Sequence, residues 1–324
     1  MSSNEHRLVQ CNEKDQEALL NFKKGINDSI GQLSTWLTEK DCCAWEGVHC
    51  DNITGRVTEL HISQLQGEMN LSILELEFLT YLDLSEDVIN ISSTQHNFTH
   101  TSNLFYLDLF SPFGTLQMEN LDWLSPLSSL KYLNLSGIDL HKETNWFRAV
   151  NTLSSLLELH LSHCNLNNLM FNPSIEYLNL SSLVTLDLSE NNFTSQSPNS
   201  FFNLTKDLTY LDLHWSNIHG EIPSSLLNLK KLRFLDLSSN QLQGSIPDGI
   251  GQLPNIQHLD LSVNQLKGSI PSTAGNLSSL HYLDIGLNNF SGGLPNIPPN
   301  AIQVDLSYNS FSGSIPHNLE LGRK

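Results

Sequence analysis

A short Leu-x-Leu pattern returns along most of this chain and limits the fold more than any other feature. It occurs as Leu60-His61-Ile62, Leu82-Asp83-Leu84, Leu107-Asp108-Leu109, Leu133-Asn134-Leu135, Leu159-His160-Leu161 and Leu186-Asp187-Leu188. It continues as Leu211-Asp212-Leu213, Leu235-Asp236-Leu237, Leu259-Asp260-Leu261, Leu283-Asp284-Ile285 and Val304-Asp305-Leu306. The steps run 22, 25, 26, 26, 27, 25, 24, 24, 24 and 21 residues. A unit of this size cannot bury its own leucines, so the copies must stack and share one core. Side chains alternate along a strand, which sends Leu235 and Leu237 inward and Phe234, Asp236 and Ser238 outward. The expected fold is an α/β repeat solenoid of about eleven units over residues 57–316, with short parallel strands on its concave face.

The period lies in the range of leucine-rich repeats, roughly 20–29 residues. Asn191, Asn240, Asn264, Asn288 and Asn309 fall at the turn after the strand. An inward Asn there can satisfy loop backbone groups, and stacked copies form a ladder. Cys164 occupies the same slot and is read as a buried substitute. A second signature follows in Gly220-Glu221-Ile222-Pro223, Gly244-Ser245-Ile246-Pro247, Gly268-Ser269-Ile270-Pro271 and Gly313-Ser314-Ile315-Pro316, with Gly292-Gly293-Leu294-Pro295 as a variant. Gly permits the turn, Ile enters the core, and Pro limits pairing to a short edge strand. Residues 83–200 lack this signature, and Glu86–Ser102 and Pro112–Asp122 are expected to bulge as loops.

Residues 11–56 differ and read as a terminal cap covering the apolar end of the stack. Asn12 can cap a helix with Asp15 in its first turn, and Leu19, Phe22 and Ile26 recur at helical spacing. Four of the five cysteines, Cys11, Cys42, Cys43 and Cys50, lie in this segment. Adjacent cysteines rarely bond each other, which leaves two disulfide connectivities. Zinc binding by Cys42, Cys43, His49 and Cys50 is the rival reading, although their spacing lacks paired CxxC motifs.

The net charge of −18, from 34 acidic and 16 basic residues, argues against nucleic acid and anionic membrane partners. It suits either solubility or basic ligands. No apolar run is long enough for a membrane span, and residues 1–10 form a polar leader without the apolar core of a secretory signal. Sequons, among them those at Asn27, Asn52, Asn70, Asn90, Asn97, Asn134, Asn179, Asn192, Asn203 and Asn276, join the cysteine cluster in favouring an extracellular chain. No phosphate loop, Gly-x-Ser-x-Gly elbow or His-Glu-x-x-His motif is present, so no catalytic residue and no cofactor is assigned. His160 and His163 form a conceivable metal pair, but no third ligand suggests itself, and no metal site is assigned either.

Cys11-Asn12-Glu13, Ala18-Leu19-Leu20-Asn21-Phe22-Lys23, Trp36 and the Cys42–Cys50 run resemble the N-terminal cap of plant leucine-rich-repeat proteins. That resemblance implies bonds Cys11–Cys42 and Cys43–Cys50 and a plant-type superhelix behind a disulfide-bonded helical cap. The tract Leu121-Asp122-Trp123-Leu124, Leu130-Lys131-Tyr132-Leu133-Asn134-Leu135-Ser136-Gly137, Trp146 and Leu159–Cys164 is similar to plant receptor-like proteins of the fungal-xylanase-receptor type. The implied function is an extracellular recognition ectodomain in defence or developmental signalling. It would bind a peptide, protein or glycan, with a co-receptor kinase as second partner, in the apoplast or at the plasma-membrane surface. Such receptors carry a signal peptide, more repeats, a C-terminal cysteine cap and a membrane helix. The chain is therefore expected to be the N-terminal part of such an ectodomain or a truncated product, with 317–324 as a polar tail. The alternative is a secreted inhibitor resembling polygalacturonase-inhibiting proteins, which end in a cysteine-bearing cap, whereas no Cys follows Cys164 here.

The strand face is the default binding surface of a solenoid. Its first outward column contains Tyr81, Tyr106, Tyr132, Glu158, Thr185, Tyr210, Phe234, His258 and Tyr282, and its second is mainly Asp. The Asp column reads as repeat consensus. Ligand-contact candidates are Tyr210, Phe234, His258 and Tyr282, together with the consensus-breaking His160, His163, His214, Trp215, Leu287 and Tyr308. His214 and Trp215 are taken as strand-borne.

Overall fold

All eleven predicted strands form at the expected Leu-x-Leu positions. The structure is a computed structural model that describes residues 10–69, 73–74, 76–86, 88–91, 103–112, 114, 116–167, 180–193, 202 and 205–314. The chain divides into two units, Met1–Leu156 and Leu157–Lys324.

In the first unit the repeat strands are Val57–His61, Tyr81–Asp83, Tyr106–Asp108 and Tyr132–Asn134. They pair in parallel and in register, so Leu60, Leu82, Leu107 and Leu133 stack with essentially no exposure. Val48–Cys50 adds an antiparallel strand to Val57–His61 and joins the cap to the repeats. The second unit holds the remaining seven repeat strands, from Glu158–His160 to Gln303–Asp305, also parallel and in register. Short 3₁₀ turns such as Ser224–Asn228 and Asp248–Gln252 return the chain between strands and bury Leu226 and Ile250. Each buried leucine contributes roughly 1.5–3 kcal/mol, so the shared column is the main source of stability.

Asparagines brace the turns from inside. Asn240 Nδ2 donates to the carbonyls of Leu213 (2.7 Å), Leu237 (3.1 Å) and Ser238 (3.0 Å), and Oδ1 accepts from the amides of Ser216 (3.1 Å) and Ile218 (2.9 Å). Asn191, Asn264, Asn288 and Asn309 repeat this pattern of three donated bonds. Cys164 is buried in the same slot, and its amide donates to Asn191 Oδ1 at 3.2 Å.

The Gly-x-Ile-Pro segments do more than form isolated edges. His219–Glu221, Gln241–Gly244, Gln265–Gly268, Asn289–Gly293 and Ser310–Ser312 make a second, five-stranded parallel sheet. Two expected loops are partly ordered in the same way. Val88–Ile91 is a strand paired with Gln66–Met69, inside the segment predicted to bulge. Within Pro112–Asp122, Gln117 bridges Asp139 and both Leu116 and Met118 are buried. Leu116 and Met118 supply apolar side chains to the core without the Gly-x-Ile-Pro spelling. Gly137 stands where its fold position requires a glycine: its φ is +78°, and a Cβ there would collide with the Ser111 carbonyl oxygen.

In the cap, the helix Glu13–Lys24 is N-capped by Asn12, whose side chain accepts from the Lys14 amide. Leu19 and Phe22 face the core, but Gly25 ends the helix, and Ile26 belongs to a two-residue strand instead. Trp36 stacks on Trp45 at 5.2 Å beneath it. Cys11–Cys42 and Cys43–Cys50 are disulfide-bonded, which overturns the zinc alternative.

Candidate ligand-recognition face

The outward side of the repeat strands carries three columns, each with its own chemistry. The first is aromatic. In the second unit, Tyr210, Phe234, His258 and Tyr282 form one parallel stack with centroid spacings of 4.3, 4.3 and 4.1 Å. In the first unit, Tyr81, Tyr106 and Tyr132 stack likewise at 4.2 and 4.3 Å. In-register parallel strands hold equivalent side chains at the strand spacing, which suits offset ring stacking.

The second column is the aspartate row, and it is less exposed than alternation alone suggests. Asp83, Asp108, Asp212 and Asp260 are buried. Each aspartate turns back on its own strand end: Oδ1 accepts the amide two residues on, as in Asp212–His214 (3.0 Å), Asp236–Ser238 (2.8 Å), Asp260–Ser262 (2.9 Å) and Asp305–Ser307 (2.8 Å). This is an Asx turn, and it gives the row a structural reason to recur. Packing like charges one strand apart has an electrostatic consequence. Burial first, and then the charges of Asp260 and Asp212, push Asp236 up to about 6 against the Ser238 hydrogen bonds. Burial pulls His214 down, but its hydrogen bond to Asp212 and the charges of Asp212, Asp236 and Glu190 raise it on balance. His258, with burial dominant, is lowered.

The third column lies just beyond the strand ends. His163, Glu190, Trp215, Ser239, Val263, Leu287 and Tyr308 all have φ between 47° and 56°, the left-handed region. Each is the fourth residue after the first apolar residue of its Leu-x-Leu strand. In the second unit the amide here reaches across to the next turn, as in Trp215 to Ser238 O (3.0 Å) and Leu287 to Ser307 O (3.0 Å). Gly or Asn would occupy this conformation at low cost, whereas bulky and β-branched side chains are strained there. Yet Trp215 is 68% exposed, Leu287 50%, Val263 44% and Tyr308 78%. These strained positions thus hold apolar side chains in water.

The predicted contact residues thus separate. Tyr210, Phe234, His258 and Tyr282 form one stack. Trp215, Leu287 and Tyr308 form a rim with Val263, which composition alone did not single out. His214 and Trp215 are not strand-borne as expected: the strand ends at Asp212, because that residue's side chain turns the chain. His214 sits between Asp212 (Nδ1–Oδ1, 2.9 Å) and Glu190 (Nε2–Oε1, 3.6 Å). His160 lies 3.8 Å from Glu158 and 3.9 Å from Asp187, and His163 lies 3.4 Å from Glu190, so the two histidines engage different carboxylates. Sequon asparagines Asn27, Asn52, Asn192 and Asn276 are exposed. Asn134 lies on a strand, half-buried, with its amide donating to Asp108 Oδ2 at 3.2 Å. The side chain of Asn90 and all of Asn70, Asn97, Asn179 and Asn203 lie outside the described residues.

Stacked Leu-x-Leu strands, an asparagine ladder and a two-disulfide helical cap define a leucine-rich-repeat fold. Comparison with known families agrees: residues 12–51 match the leucine rich repeat N-terminal domain, and residues 181–242, 206–266 and 300–321 match leucine rich repeats. The chain is similar to the receptor-like protein EIX1 of Solanum lycopersicum, 36% identical over 256 residues, covering 65% of this chain and 24% of that protein. It is also similar to receptor-like protein EIX2 of the same species, at 30% identity over 72% of this chain and 26% of that protein. The chain therefore spans about a quarter of the length of these relatives. Among solved structures, the Arabidopsis receptor kinase HAESA, in complex with the peptide hormone IDA and the co-receptor SERK1, superposes with a TM-score of 0.82 at 28% identity, covering 95% of this chain and 52% of that one. Among the described residues, no helix is long and apolar enough to cross a membrane.

Proposed function

We infer that this chain is part of the ligand-recognition ectodomain of a plant receptor-like protein, acting by binding and not by catalysis. The two disulfides suit an oxidising, extracellular setting, as do the receptor-like relatives. The observation that carries the reading is the rim of left-handed, exposed Trp215, Val263, Leu287 and Tyr308 beside the aspartate row. Other repeats carry polar Glu190 and Ser239 at the same position, so the left-handed turn does not itself call for apolar side chains.

The ligand that fits is an extended extracellular peptide or protein segment with both basic and apolar side chains. Its basic groups would face the aspartates, and its apolar groups would pack on the rim and the ring stack. A co-receptor kinase as second partner is part of this proposal, by analogy with the HAESA complex.

The test is selection of a displayed random-peptide library on the intact protein. Enriched sequences should combine Lys or Arg with large apolar residues and lose affinity as salt rises. Trp215→Ala should cost about 2 kcal/mol of binding if it anchors the interface. Selected peptides whose binding ignores both Trp215→Ala and Leu287→Ala, in folded variants, would disprove the assignment.

A further inference from the structure

Asp236, His258 and Asp260 come together on two adjacent strands, each offering one ligand atom, all within 4.8 Å of one another. What marks this place is a change in the aromatic column. On Asp212 and Asp108, and on Asp260 within the triad itself, a tyrosine hydroxyl covers the outer carboxylate oxygen. Tyr210 donates to Asp212 Oδ2 at 3.2 Å, Tyr282 to Asp260 Oδ2 at 3.3 Å, and Tyr106 and Tyr132 to Asp108 Oδ2 at 3.4 and 3.3 Å. Between Tyr210 and Tyr282 the column reads Phe234 and His258. Phe234 has no hydroxyl, and among the described residues no ring hydroxyl reaches Asp236. His258 presents an imidazole edge where a phenol would stand, and among the described residues no group hydrogen-bonds either ring nitrogen.

The imidazole is also held in place. Its ring lies between Phe234 and Tyr282, at 4.3 and 4.1 Å and within 12° and 5° of parallel. A ligand whose rotamer is fixed by packing loses little freedom when it coordinates. Asp236 has a carboxylate neighbour on each side, Asp212 and Asp260, so a cation here would relieve like-charge crowding. The acidic row continues through Asp284 and Asp305, but among the described residues no nitrogen donor joins those two to form a triad.

We propose that Asp236, His258 and Asp260 bind a divalent transition-metal ion, for which Zn²⁺ is the best match. One imidazole and two carboxylates form a borderline nitrogen–oxygen set suited to Zn²⁺, whereas Ca²⁺ and Mg²⁺ prefer six or more oxygens. Three protein ligands leave a coordination position facing outward for water or a ligand carboxylate. A second triad, Asp212, His214 and Asp236, shares the middle aspartate. It is the weaker position, because His214 Nδ1 already bonds Asp212 at 2.9 Å. The metal site is independent of which peptide the face binds.

The full chain, stripped with EDTA and exchanged into metal-free buffer, is titrated with ZnCl₂ by calorimetry near neutral pH. A single saturable site with a micromolar dissociation constant is expected. His258→Phe keeps a ring in the stack and removes both nitrogens, so it should weaken the site about tenfold or more while leaving the melting temperature of the metal-free protein unchanged. Asp236→Asn should weaken it likewise. His141→Ala, in the exposed pair with Asp139 on the first unit, should leave it intact. Millimolar Ca²⁺ should not displace the ion. Absence of saturable binding, undiminished affinity in His258→Phe, loss in His141→Ala, or displacement by Ca²⁺ would each overturn the assignment.

Discussion

Arg56 grips Asp15 through two hydrogen bonds, Nε to Oδ2 at 2.9 Å and Nη2 to Oδ1 at 3.0 Å, and so ties the cap helix to the first repeat strand. Asp15 is only 2% exposed, and its Oδ2 also accepts the Val57 amide at 2.9 Å. Removing the arginine would leave a buried carboxylate with one backbone donor. Arg56→Ala should therefore cost roughly 3–5 kcal/mol, and the pair Asp15→Leu with Arg56→Met should recover part of that loss. Urea unfolding measures both, and a loss below about 1 kcal/mol in Arg56→Ala would show that the clasp is dispensable.

The asparagine ladder should be graded by burial. Asn240→Leu keeps the volume but strands three carbonyls and two amides in the interior, and should cost about 3 kcal/mol or more. Asn309, whose slot is only partly buried, makes the same three donated bonds where water can replace them. Asn309→Leu should cost about 1 kcal/mol. Chemical denaturation of the two variants side by side tests the ordering.

Val263 holds a β-branched side chain at φ 54° with its surface 44% exposed. Val263→Asn should raise stability by roughly 1 kcal/mol, because Asn tolerates the left-handed region and little packing is lost. The same change should weaken binding of peptides selected on this face. A variant that gains stability without losing affinity would separate the strain from recognition.

The tyrosine stack predicts alkaline sensitivity. Burial first, and then the Asp108 charge, push Tyr132 up to about 12, against about 10 for an ordinary tyrosine. The unfolded chain thus loses this proton at lower pH than the folded one. Between about pH 10 and 12 the unfolded state binds fewer protons, so stability falls as pH rises. Absorbance near 295 nm should show a late-titrating tyrosine phase, and Tyr132→Phe should reduce the amplitude of that phase, which Tyr282 shares, and lessen the stability loss in this window. A Tyr132→Phe titration identical to that of the unsubstituted protein would contradict the assignment.

Much of this was legible in the residues because repetition multiplies a weak signal. One Leu-x-Leu is ambiguous, but eleven at a near-constant step allow only stacked strands in register. The Asn after five of the strands and the capping Asn12 follow from local hydrogen-bond demand. Residues 88–91 and 116–118 were read as loops because they lack Gly-x-Ile-Pro, yet pairing with neighbouring turns and burial of Leu116 and Met118 order them. Trp215 was singled out by its chemistry, but its conformation was not, because the residue that ends its strand is Asp212, through a side-chain bond.

What the sequence by itself determined is the one-dimensional part: the period, the inward and outward residues of each strand, and a cap with four clustered cysteines. These follow from alternation, propensity and spacing within a single unit. Only the tertiary structure decided which residues from different units meet. Asp15 finds Arg56 across 41 positions, His258 slides between Phe234 and Tyr282 from strands 24 residues apart on either side, and Asp236 acquires two carboxylate neighbours. The physical reason is that stacking brings equivalent positions to within about 5 Å of one another. A side chain's charge state, strain and ligand capacity therefore depend on neighbours one repeat away, which no single repeat encodes.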